Sequence, residues 1–179
     1  MAAAITKNVS PPTPKIIKKS YLRPMAEELR TILGTKAEQS ALLYEQLQAL
    51  LQGETDQVAR MANTAAALHH TFHFWWTGFY RVAGEELILG PFQGPIACMR
   101  IDRGRGVCGT AWQEQQTLIV PDVDCFPGHI ACSSASRSEI VVPLVREGAV
   151  IAVLDIDSEY LATFDEEDKF WLEKIVKLL

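Results

Sequence analysis

Apolar positions recur every three or four residues at Leu42, Leu43, Leu47, Leu50 and Leu51, the spacing of a helix face, and Gly53 is its expected stop. A second helix is expected from about Thr55, with Asp56 in its first turn and Val58, Met61, Ala62, Ala65 and Leu68 on one face. The pattern then changes. Trp75 to Val82 is aromatic and β-branched and reads as a strand. Ala83-Gly84-Glu85-Glu86 reads as a turn, and Leu87 to Phe92 as the returning strand. Ile96 to Ile101 suggests another short strand, broken by the glycines at 104 and 106. Val107 to Gln115 suggests a short helix, and Leu118-Ile119-Val120 a strand ended by Pro121. Ile140 to Val145 and Ala149 to Ile156 form a second apolar pair around Arg146-Glu147-Gly148. A last helix starts at Asp165 to Asp168 and carries Phe170, Trp171, Ile175, Val176 and Leu178. Sequential hairpins imply an antiparallel sheet, and helices at both ends can cover one of its faces together. The expected class is α+β.

Residues 1–38 read differently. They include the run Ser10-Pro11-Pro12-Thr13-Pro14, and basic residues precede the first acid at Glu27. So little apolar surface suggests a flexible extension, leaving one domain over 39–179. A net charge of −5 gives no reason to expect nucleic acid. No apolar run approaches the roughly 18 residues of a membrane span. Met1 to Ile5 is followed at once by Lys7, which is no signal sequence, so the expected compartment is the reducing cytoplasm. Four cysteines there imply thiol chemistry or a metal rather than permanent disulfides.

One cysteine stands out. Cys132 lies in Gly128-His129-Ile130-Ala131-Cys132-Ser133-Ser134-Ala135-Ser136, a loop of small and polar residues with a carboxylate, Glu139, seven positions on. A thiol held there has little to bury it and is suited to act as a nucleophile. Cys98 and Cys108 flank the Arg103-Gly104-Arg105-Gly106 turn, and Cys125 is the fourth. Asp155 and Asp157 alternate across Ile156, so both carboxylates point to one strand face. Trp76 and Tyr80 likewise share a face.

The strings Gly78-Phe79-Tyr80, Leu89-Gly90-Pro91-Phe92-Gln93-Gly94, Gly104-Arg105-Gly106-Val107-Cys108-Gly109-Thr110, Gly128-His129-Ile130-Ala131-Cys132 and Val153-Leu154-Asp155-Ile156-Asp157-Ser158 together resemble the free methionine-(R)-sulfoxide reductases, a GAF-domain family. The resemblance covers roughly residues 40 to 179. It implies a GAF-like antiparallel sheet with N- and C-terminal helices on one face, and reduction of free methionine sulfoxide as a defence against oxidative stress. It implies attack by Cys132 through a sulfenic acid, with Cys98 as the resolving cysteine. Thioredoxin would return the disulfide to thiols, with no bound cofactor and no metal. Cys108 is then an alternative resolver or a wall of the site. Glu139 and Asp157 are candidate proton donors to the departing oxygen, and Asp155 a candidate for the substrate ammonium. Trp76 and Tyr80 would wall the methyl group, and backbone N–H groups of the glycine turns would take the carboxylate. Family habit implies a homodimer. Cys125 falls where the family has no cysteine, so the resemblance assigns it no role.

Three other readings fit parts of the pattern. They are a non-catalytic GAF sensor of a small ligand, a thiol redox sensor, and a zinc site from Cys125, His129 and Cys132.

Overall fold

The computed structural model describes residues 29–30, 33–128 and 135–179. Most of the expected extension and the loop at 129–134, with His129 and Cys132, lie outside the described residues. The first helix, α1, spans Lys36–Leu50 and opens on a capping box between Thr35 and Glu38. Helix α2 spans Gln57–Phe72 and is capped by Asp56, whose side chain accepts from the Ala59 N–H. Strands β1 (Trp76–Ala83), β2 (Glu86–Gln93) and β3 (Arg100–Asp102) follow, then helix α3 (Gly106–Glu114) and strand β4 (Leu118–Val120). A 3-10 turn over Val123–Cys125 leads on to β5 (Ser138–Arg146), β6 (Ala149–Ser158) and the final helix α4 (Glu166–Val176).

The six strands form one antiparallel sheet in the order β3-β2-β1-β6-β5-β4. As the sequence leads one to expect, the helices at the two ends of the domain cover one face. Leu43 and Leu47 of α1, Met61 and Leu68 of α2, and Leu172 and Ile175 of α4 pack on Phe79, Ile140, Val142, Leu154 and Ile156. The near-continuous apolar character of β5 and β6 follows from cover on both faces. Their alternate residues Val141 and Val153 turn the other way, toward Val107, Ala111 and Trp112 of α3. Period-two alternation thus sends Glu139, Asp155 and Asp157 to the α3 side, away from the main core.

Three details differ from the sequence reading. The strand expected over Ile96–Ile101 survives only as Arg100–Asp102. Pro95 has no N–H to give to a ladder and Gly94 sits at φ 121°, so residues 94–99 leave the sheet as a loop. On α4, Phe170 is exposed rather than core, because it lies two residues, or about 200° of helix rotation, from the buried Asp168 and Leu172. The Lys174 ammonium covers its ring at 5.0 Å and that of Trp171 at 4.6 Å. Val58, at the exposed start of α2, also lies outside the core.

Candidate functional site

The acids, the aromatics and one cysteine meet on the α3 side of the sheet. Glu139 on β5 is directly across from Asp157 on β6, and Val141 from Asp155. This pairing depends on a one-residue register shift between Leu144 and Val145. Counted straight from the Arg146–Ala149 turn, Glu139 would oppose Ile156 and share its helix-covered face. The shift moves Glu139 onto the face of Asp157. Cys108, in the first turn of α3, reaches over from above, with its Sγ 3.9 Å from Glu139 Oε1.

These groups line a cavity of about 560 Å³, mouth included. Glu139, Asp155, Asp157 and Cys108 lie along it with Ser136, and Trp75, Trp76 and Tyr80 of the β1 region wall it. Ile96 and Ala97 close one side, and Arg105, Gly106 and Val107 bring the N-terminus of α3 to it. Arg105 occupies the N-cap position without a side-chain hydrogen bond to the helix. The first amides of α3 therefore bring their donors and the positive end of the helix dipole to this wall.

The aromatic wall is a stack. Trp76 lies 5.5 Å from Phe92 at 15° between ring planes, and 5.9 Å from Tyr80 at 25°. The indole N–H donates to the Pro95 carbonyl at 3.1 Å, and the Tyr80 hydroxyl to the Cys98 carbonyl at 3.1 Å. Both polar tips thus fasten the 94–99 loop to the sheet. Gly78 makes the stack possible, since a Cβ there would come within 2.5 Å of the Trp76 ring and 2.4 Å of Phe92 Cβ. Gly78→Ala is expected to push the indole aside and lower stability by about 1–3 kcal/mol. Urea unfolding checks the loss, and the loosened loop should be cut faster by protease.

Burial sets the protonation of the site. Desolvation, reinforced by the charges of Asp155 and Asp157, holds the Glu139 carboxyl well above the usual carboxylate range. Asp155 is raised well above its ordinary value by burial and then by Asp157. Asp157 is raised by burial to about 6, with a hydrogen bond from the Ser136 hydroxyl pulling the other way. Desolvation and then the neighbouring carboxylates push the Cys108 thiol up, so it is a poor thiolate in this arrangement. Asp155 Oδ1 is buried without a hydrogen-bond partner, in a carboxyl whose neighbours are Cys108 and Glu139.

The cysteines differ in state. Cys98 is disulfide-bonded, whereas Cys108 and Cys125 are free thiols. Cys125 is exposed, beside Asp122 on the 3-10 turn, and does not line the cavity. Of the two arginines in the 103–106 turn, Arg105 lines the cavity, while Arg103 lies over the Trp112 ring at 5.3 Å. Among the described residues, the side chains placed to hold a metal together are Cys108, Glu139 and Asp155. Sequence reasoning missed Trp75 and Ser136. Ser136 sits in a stretch rich in serine, and only the sheet register shows which hydroxyl reaches Asp157.

The sequence pattern of GAF domains matches residues 20–179. GAF domain-containing protein A of Dictyostelium discoideum is 59% identical over 156 residues, covering 87% of this chain and 99% of that protein. The free methionine-R-sulfoxide reductase of Escherichia coli (strain K12) is 48% identical over 145 residues, covering 80% of this chain and 88% of that protein. Among solved structures, the free methionine-R-sulfoxide reductase of Neisseria meningitidis in complex with its substrate superposes with a TM-score of 0.82. It is 51% identical and covers 84% of this chain and 91% of that one. Among the described residues no helix is long and apolar enough to cross a membrane.

Proposed function

We propose that this chain, which belongs to the GAF-domain family and to its free methionine-R-sulfoxide reductase branch, reduces free L-methionine-(R)-sulfoxide to L-methionine. The observation that carries the reading is one small cavity lined by the buried Glu139 and Asp155, the half-buried Asp157, an aromatic stack and a helix N-terminus, beside the disulfide-bonded Cys98. A free amino acid offers a matching group to each. Its ammonium suits the unpartnered Asp155 Oδ1, its carboxylate the first amides of α3, and its methyl sulfoxide the Trp76–Tyr80 wall. A peptide-bound methionine sulfoxide has neither terminus free, so the same site discriminates against it.

In the chemistry we assign, the Cys132 thiolate attacks the sulfoxide sulfur. Glu139, kept protonated by its surroundings, gives a proton to the oxygen, with Asp157 at its side. Methionine leaves and the oxygen remains as a sulfenic acid on Cys132. Cys98 then condenses with the sulfenic acid, expelling water and forming a disulfide. The disulfide-bonded state of Cys98 supports a redox role for that residue. A dithiol donor of the thioredoxin class exchanges with the disulfide and restores both thiols. Cys108, its thiol raised by burial, serves this cycle as part of the wall.

Thioredoxin-coupled turnover with separated R and S epimers of free methionine sulfoxide, and with a peptide-bound control, tests the reading. The free R epimer is expected to drive NADPH consumption, and the S epimer and the peptide to give background only. Equal turnover of the peptide would overturn the assignment of the two substrate termini.

A further inference from the structure

Cys108, Glu139 and Asp155 form a second constellation within the cavity. Their donor atoms all lie within 4.8 Å of one another and all three side chains are buried. We infer that this trio is a binding site for a thiophilic divalent cation of the Zn²⁺ or Cd²⁺ kind. A sulfur with two carboxylate oxygens is a borderline-soft donor set, which favours these ions over Mg²⁺ or Ca²⁺. Tetrahedral Zn²⁺, with sulfur at about 2.3 Å and oxygen at about 2.0 Å, holds such donors about 3.5 Å apart. Cys108 Sγ and Glu139 Oε1 stand 3.9 Å apart, so that pair needs to close by only a few tenths of an ångström, and no pair of the three is wider than 4.8 Å.

A separate observation points to the same ligand. Asp155 is only 6% exposed, yet its Oδ1 has no hydrogen-bond partner. A buried, orphaned carboxylate oxygen beside a thiol and a second carboxyl is satisfied by a cation. Arg105 is the cationic side chain on the lining and stands at the α3 wall rather than within the trio. The ligands bind as thiolate and carboxylates, releasing their protons to solvent. The ion occupies the place given above to the substrate ammonium. On that reading of the site, it inhibits in competition with methionine sulfoxide.

The test titrates Cd²⁺ alone into the full chain kept in its disulfide form, with no added reductant, so that Cys98 is tied up. The ultraviolet thiolate-to-cadmium band should saturate at one equivalent in the wild type and in Cys125→Ser, and be absent in Cys108→Ser. Asp155→Asn should weaken binding at least about tenfold, the scale of a disturbed metal site. Should Cys108→Ser fold poorly, Cd²⁺ should still raise the Tm of the wild type and of Cys125→Ser, and raise that of Asp155→Asn by clearly less. A wild type without the band, a band that persists in Cys108→Ser, or equal affinity in Asp155→Asn would overturn the site. The metal-free chain is assayed in parallel. Tight Cd²⁺ binding by a chain with no sulfoxide turnover would sink the reductase reading while leaving the metal site standing.

Discussion

Replacing Cys132 by serine is expected to abolish reduction of free methionine sulfoxide, while Cys98→Ser is expected to complete one stoichiometric round and then stop. The two outcomes separate because, in the proposed cycle, the cysteines act at different steps. A serine hydroxyl is far less nucleophilic than a thiolate toward sulfur, so without Cys132 no sulfenic acid forms and no methionine appears. Without Cys98 the first oxygen transfer proceeds, but the sulfenic acid has lost its partner and the donor has no disulfide to reduce. Rapid-quench measurement of methionine per enzyme reads both. Near-zero release is expected for Cys132→Ser, and one equivalent without further turnover for Cys98→Ser. Cys108→Ser should recycle, since its free, buried thiol belongs to the wall in this scheme. Multiple turnover by Cys132→Ser, or a single round in Cys108→Ser with full recycling in Cys98→Ser, would reassign the cysteines.

Much of this site was legible in the chain before its coordinates. The alternation Asp155-Ile156-Asp157 within an apolar strand was enough to put both acids on one face, and Trp76 and Tyr80 followed from the same period on β1. Glu139 shows the limit of that reasoning. Its sequence places it at the start of β5, but which face it takes depends on the register shift at Leu144/Val145, which no local pattern announces. Phe170 shows a different limit. An aromatic near the start of an amphipathic helix reads as part of its apolar face, yet Leu172, Ile175 and Asp168 define the buried face and leave Phe170 on the opposite side. Ser136 was invisible for a third reason, because its bond to Asp157 joins residues 21 apart that only the β5–β6 pairing brings together. What the sequence states well is periodicity. What it leaves out is the point where two periodic segments slip by one residue.

Glu139→Gln is expected to lower the rate of the chemical step about 10²–10⁴-fold, the range associated with losing a positioned proton donor. The same change should make the protein more stable at neutral pH. Both effects come from one fact, the desolvation that holds the Glu139 carboxyl above the usual range. A carboxyl whose folded pKa is raised binds its proton more tightly folded than unfolded. Stability is therefore lost as pH rises from the ordinary carboxylate range through the folded value. Proton donation follows the same direction, being available below the folded value and lost above it. In single-turnover rapid mixing, the wild-type rate should fall with rising pH once Glu139 ionises, and Glu139→Gln should lack that limb. Asp157, raised to about 6, ionises first, so Asp157→Asn should alter the profile near that pH and leave the higher limb in place. In urea unfolding the advantage of Glu139→Gln should appear at pH 8 and shrink at pH 4, where the unfolded carboxyl also holds its proton. A variant with wild-type chemical rate and an unaltered pH limb would remove Glu139 from the reaction. A stability gain without any rate loss would show the residue to be buried for some other purpose.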